Sequence, residues 1–185
     1  MSVKDVIKDS EIKMKKCLES ARREFSEVRT GRAHPGLIEG MHMDYYGTPT
    51  AFKELASIST PDPRTVVIQP WDPTAIADIE KAILESNLGI TPSNDGKIIR
   101  LSVPPLSEER REELKKVVKD MAEKARVSLR TVRRDANDRL KKMKADKLVS
   151  EDEEFRAHDE VQKMIDRYIK DVDNLLEDKN KSLSG

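Results

Sequence analysis

Cysteine is nearly absent from this chain: its 185 residues contain one, Cys17. No internal disulfide can form, which excludes a disulfide-stapled scaffold. The amphipathic pattern around Cys17 makes it a small core residue of a reducing compartment. Aromatics are scarce as well, at 4%, so the cores must be slender ones that a helix stripe can close. Hydrophobic residues reach 36% against 38% charged, where an ordinary globular domain has roughly 45–50% and about 25%. No apolar run approaches the ~20 residues of a membrane span. The N-terminus has no apolar block, so a cytoplasmic protein without membrane contact or targeting peptide is expected.

Catalytic patterns are missing too. His34, His42 and His158 are scattered, and none has a partner at the spacing of a zinc site. There is no phosphate-cradling glycine loop and no serine nucleophile elbow. Asn94-Asp95-Gly96-Lys97 is a turn signature. Nothing argues for an enzyme, a metal or a cofactor. Tyr45-Tyr46-Gly47 fits base stacking and equally a strand ending in a tight turn. Trp71, ahead of Asp72-Pro73, reads as a packing residue.

Glycine and proline are absent from most of the chain. All nine prolines and six of the seven glycines lie between residues 31 and 105. On either side the apolar residues recur at helical spacing. Ile7, Met14, Ala21 and Val28, with Leu18 and Phe25 between them, mark a first helix over 2–29. Thr30-Gly31 and then Pro35 end it. Val118, Met121, Ala125, Leu129, Val132, Ala136, Leu140 and Met143 mark a second helix over 107–147. Ser150 and Glu153, at capping-box spacing, open a third, whose seam is Val161, Ile165, Tyr168, Val172 and Leu175. The middle shows strand-like runs at 38–46, 55–60, 65–69 and 97–103. Between the last two lies a helix capped by Asp72 with Pro73 at its first position and a stripe of Ile76, Ile79, Ile83 and Leu84. The expected fold is α+β: an elongated three-helix bundle (1–30 and 106–185) with an inserted small α/β domain (31–105), L-shaped. Two connections, through Thr30, Gly31 and Pro35 and through Pro104 and Pro105, meet at one junction and make a natural hinge.

Net charge is zero, with 35 basic and 35 acidic residues, yet the signs are segregated. Residues 124–147 hold ten basic against three acidic groups. Arg126, Arg130, Arg133, Asn137, Lys141 and Lys144 step by threes and fours, so they share one helix face. The third helix is acidic. Two readings stand: the acidic helix neutralises the stripe inside the bundle, or the stripe meets a polyanion, for which arginine's bidentate phosphate geometry is suited. An acidic protein partner is the alternative to RNA. Arg29 and Arg32 bracket the end of the first helix. They read as phosphate contacts on a mobile joint or, for Arg29, as a complement to the negative end of the helix dipole.

Several blocks together carry a resemblance. They are Arg29-Thr30-Gly31-Arg32-Ala33, Asp44-Tyr45-Tyr46-Gly47-Thr48-Pro49, Glu80-Lys81-Ala82-Ile83, Pro104-Pro105-Leu106, Glu108-Glu109-Arg110-Arg111, Val132-Arg133-Arg134-Asp135-Ala136-Asn137-Asp138 and Asp159-Glu160-Val161-Gln162-Lys163. In this order and spacing the chain resembles the ribosome recycling factor family over nearly its whole length. The resemblance implies a monomeric, non-catalytic factor that binds the post-termination ribosome. With elongation factor G and GTP it splits the ribosome into subunits, releasing mRNA and tRNA. It also implies contacts to large-subunit ribosomal RNA by Arg130 and Arg133, with Arg29 and Arg32 near the joint. Arg134 belongs to the matching block, with a carboxylate contact as its alternative. His34 and Thr50-Ala51 depart from the family pattern.

Overall fold

The computed structural model describes residues 1–184. Three long helices, α1 (Val3–Glu27), α4 (Glu108–Ala145) and α5 (Glu151–Ser184), each pack on the other two. They are amphipathic with no glycine or proline inside, so their apolar stripes have one way to leave water. Met14 and Phe25 of α1, Val118, Leu129 and Leu140 of α4, and Val161 and Ile165 of α5 are buried in the shared seam. Ser10 is buried among them, with its hydroxyl donating to the Val6 carbonyl at 2.7 Å. The first helix starts in a capping box: the Asp5 amide donates to Ser2 Oγ at 3.2 Å, and the Ser2 amide donates to Asp5 at 2.8 Å. The third starts as the Ser150–Glu153 spacing predicts, with the Glu153 amide donating to Ser150 Oγ at 3.1 Å. With 38 residues, α4 is about 57 Å long at ~1.5 Å per residue.

The turn between α4 and α5 is made by a residue unsuited to it. Lys147 holds φ +57°, and the Leu148 amide donates back to the Met143 carbonyl at 2.9 Å. This is the left-handed helix stop that usually takes glycine. A left-handed backbone costs a side-chain-bearing residue about 1 kcal/mol or more. Lys147→Gly is therefore expected to stabilise the bundle by about that much, read as a raised urea midpoint by circular dichroism at 222 nm.

By its internal contacts the chain divides into two compact units, residues 1–30 with 108 onward, and Gly31–Ser107. The inserted unit contains the hairpin β1 (His42–Tyr45) and β2 (Thr48–Ala51), a one-turn helix α2 (Phe52–Leu55), and the strands β3 (Ala56–Asp62), β4 (Thr65–Pro70), β5 (Pro92–Asn94) and β6 (Ile99–Ser102). Helix α3 (Ile76–Glu85) crosses between β4 and β5. The four-stranded sheet runs β3-β4-β6-β5, antiparallel throughout. Alternation puts Val66 and Ile68 of β4 and Ile99 and Leu101 of β6 into one core with Ile79 and Ile83 of α3 and Phe52.

Several expectations are corrected here. The strand expected over 38–46 is shorter, because Pro35–Leu37 forms a 3₁₀ turn closed by the Ile38 amide on the Pro35 carbonyl. Strands β2 and β5 each contain a proline, and sequence reading passes over such runs because proline cannot complete a ladder. Leu84 is exposed; it lies one residue, about 100°, beyond the stripe that Ile76, Ile79 and Ile83 complete. Trp71 is not a packing residue: 68% of it is exposed, since the alternation that buries Val66, Ile68 and Pro70 turns the next residue outward.

The hairpin tip and the start of the α3 segment are joined. Tyr46 and Gly47 hold φ +50° and +82°, as a two-residue turn between right-twisted strands requires. The Tyr45 hydroxyl donates to Asp72 Oδ2 at 2.9 Å, while Asp72 Oδ1 accepts from the Thr74 amide and hydroxyl. The Thr74 bonds and then Tyr45 hold the Asp72 carboxyl below its ordinary value of 3.8. A depressed carboxyl stabilises above its unfolded value and loses that contribution as pH falls through the folded one. The link is thus expected to persist at neutral pH and open only below about pH 3.8, seen as an acid transition in Trp71 fluorescence that Asp72→Asn abolishes.

Candidate nucleic-acid interface

The basic stripe of α4 is divided by its neighbours. Arg126 is engaged within the bundle: its Nε donates to Asp173 of α5 at 3.0 Å, its Nη2 reaches the same carboxylate, and Nη1 lies 3.2 Å from Glu123. Its side chain is 19% exposed, and the Asp173 bond raises its pKa further. The shared face expected from periodicity is real in angle, but Arg126 points its guanidinium at α5 rather than outward. Lys144 pairs with Glu154 of α5 at 3.6 Å. Arg130 Nη1 donates to Glu123 at 3.0 Å, and that bond, with Arg126 beside it, holds the Glu123 carboxyl below the usual range. The acidic third helix therefore neutralises part of the stripe.

The rest remains available. Arg133 makes a 3.5 Å contact to the Gln162 amide oxygen, a neutral partner that leaves its charge uncompensated. Arg134, Lys141 and Lys142 are exposed, and no ion pair holds them among the described residues. The carboxylate contact left open for Arg134 is not formed. Asn137 sits between them, half-buried, with an Oδ1 that is buried and has no hydrogen-bond partner. On the opposite flank, Arg139 is tied to Asp9 of α1 at 2.8 Å and Lys124 to Glu24 at 4.0 Å. Lys142 falls off the strict three-four spacing, so it is signalled by the ten cations of residues 124–147 rather than by their period.

Arg29 and Arg32 are exposed just past α1. The chain that follows is anchored within the inserted unit. The Ala33 amide donates to the Pro63 carbonyl and the Val103 amide to the Arg64 carbonyl, both at 2.7 Å. One turn between β3 and β4 thus holds the incoming and outgoing segments on adjacent carbonyls. Gly31 holds φ +72°, and a Cβ there would lie 2.8 Å from Leu106 Cγ. Pro35 is part of the 3₁₀ turn rather than of a free linker. His34 caps that turn: its Nδ1 accepts from the Gly36 amide at 2.9 Å, the task a small polar side chain performs elsewhere. Ala51, the other departure, is buried at the end of β2. Among the described residues no cluster of His, Cys, Asp or Glu is placed to hold a metal ion, and no helix is long and apolar enough to cross a membrane.

These features define a class: a three-helix bundle carrying an inserted α/β unit after its first helix, with uncompensated positive charge along its second helix. The family model "Ribosome recycling factor" matches residues 21–183. A ribosome-recycling factor of Solidesulfovibrio magneticus is 55% identical over 178 residues, 96% of this chain and 97% of its own. That of Carboxydothermus hydrogenoformans is 53% identical, covering 96% of each. A solution structure of the ribosome recycling factor superposes with TM-score 0.78 at 39% identity, covering 100% of this chain and 98% of its own. A second structure, of the T. thermophilus ribosome recycling factor and E. coli elongation factor G bound to the E. coli post-termination complex, gives 0.67 at 41% identity over the whole of both chains. The chain belongs to the ribosome recycling factor family.

Proposed function

We propose that this protein is a cytoplasmic, non-catalytic factor that binds the post-termination ribosome through large-subunit ribosomal RNA. Together with elongation factor G and GTP it splits the ribosome into subunits and releases mRNA and tRNA. The observation that carries the reading is the family match spanning both units. Arg133, Arg134 and Lys141 supply the phosphate contacts. Asn137 lies among them with its Oδ1 buried, so that oxygen is not presented to the RNA. Arg130 contributes by exchanging Glu123 for a phosphate, and Arg29, at the end of the bundle's first segment, and Arg32, at the start of the inserted unit, add phosphate contacts of their own. Arg126 serves the bundle instead. Thr30-Gly31, at the first crossing between units, and Pro104-Pro105, just ahead of the second, act as the hinge. The protein lowers no covalent barrier; it supplies binding energy that the partner GTPase converts into separation.

Light scattering of post-termination ribosomes tests this. A fall that needs this chain, elongation factor G and GTP together is the expected result. No fall, with no binding to the large subunit, overturns it. An interaction that survives ribonuclease treatment moves the assignment to an acidic protein partner.

A further inference from the structure

Tyr46 and Trp71 are the two largest side chains that the inserted unit leaves in water, at 84% and 68% exposure. Neither position is loose. The Trp71 amide donates to the Leu55 carbonyl at 3.0 Å, and the neighbouring Asp72 receives the Tyr45 hydroxyl at 2.9 Å. The Tyr45 and Tyr46 rings stand edge to face, 4.6 Å between centroids. The hairpin tip and the β4–α3 corner are thereby held at one end of the unit. An ordered aromatic pair facing solvent marks an interaction surface, and Tyr46 holds a left-handed backbone, φ +50°, in a turn that asparagine would make with less strain.

Charge decides the kind of partner. Around these rings the chain carries Asp44, Glu54, Asp72 and Asp78 against Lys53, and the β4–β6 register brings Asp95 and Lys97 to the same end of the sheet, five acids to two bases. Residues 33–105 as a whole carry nine acidic and five basic groups. Acids at this density repel a phosphate backbone, so base stacking at Tyr46 is disfavoured. They attract cations, and the ring faces do the same through their quadrupole. We propose that Tyr46 and Trp71 form a docking platform for an arginine-rich segment of a basic protein, guanidinium planes stacking on the rings while the surrounding acids complement the charge. Arginine is favoured over lysine because its planar, weakly hydrated head stacks. This surface is separate from the α4 cations and does not rest on their role.

Trp71 is the only tryptophan, so its fluorescence reports this patch. Titrating the full chain with an oligo-arginine peptide is expected to change Trp71 emission saturably, with oligo-lysine of equal length binding more weakly. Tyr46→Asn deletes the ring and keeps a residue that tolerates the turn; it is expected to weaken the arginine peptide about two- to fivefold, with unchanged circular dichroism. An unresponsive Trp71, equal affinity in Tyr46→Asn, or equal binding of the two peptides overturns the proposal. So does a single-stranded RNA oligonucleotide that shifts the emission at least as tightly, which assigns the rings to base stacking.

Discussion

Alanine at Arg133, Arg134 and Lys141 together is expected to weaken binding to the large ribosomal subunit about 100-fold while the bundle stays folded. A charge-assisted contact to phosphate contributes about 1 kcal/mol or more net, about fivefold each. The dependence of log affinity on log salt should flatten by about two to three, since each lost contact releases one counterion fewer. Stability should change by less than about 0.5 kcal/mol, because no carboxylate among the described residues pairs with these cations and Arg133 gives up only a long contact to Gln162. Arg126→Ala is the converse. It leaves a partly exposed Asp173 unpaired and should cost stability by up to about 1 kcal/mol after solvent screening, with ribosome affinity nearly unchanged. Binding by filtration and urea unfolding of the same two variants separates the roles. A triple variant that binds like the parent removes this face from the interface.

The second large effect is expected at Gly31. Any side chain there meets two obstacles: φ is +72°, and a Cβ lies 2.8 Å from Leu106 Cγ and 3.2 Å from the Leu106 backbone nitrogen. The leucine side chain can turn aside, but the backbone cannot. Gly31→Ala should destabilise the inserted unit by about 2–3 kcal/mol, the sum of a left-handed backbone and a forced shift. Gly31→Asn separates the two, since asparagine tolerates the backbone and keeps the clash. Urea unfolding followed at once by Trp71 fluorescence and by helical circular dichroism is the measurement. A shift confined to the tryptophan signal locates the damage in the inserted unit; coincident, unshifted curves would mean that Leu106 yields freely. Proline cannot reach φ +72°, so Gly31→Pro reroutes the crossing rather than merely stiffening it. Such a variant is expected to bind ribosomes yet split them poorly.

The helices were legible because their signals are local. Period, caps and the gathering of all nine prolines and six of the seven glycines into residues 31–105 placed α1, α4 and α5 within about two residues of where they lie. The inserted strands were less so, because β2 and β5 are short, proline-containing and dependent on partners distant in sequence. The same divide runs through the site. That residues 124–147 are strongly basic needs no structure. Which cation is free does need one, because helical angle says where a Cα sits and not which carboxylate of another helix lies within reach. Arg126 and Arg133 share an angle, yet Arg126 finds Asp173 forty-seven residues away and Arg133 finds only an amide.

By itself, then, the sequence determined the three long helices, the inserted unit and the helix that carries the positive charge, since each depends on residues a few positions apart. Only the tertiary structure decided that Trp71 faces water, that His34 and Gly31 hold the crossing, and which cations remain uncompensated. Those outcomes turn on contacts between segments far apart in the chain, where side-chain direction, electrostatic pairing and steric room are set by the neighbour rather than by the residue.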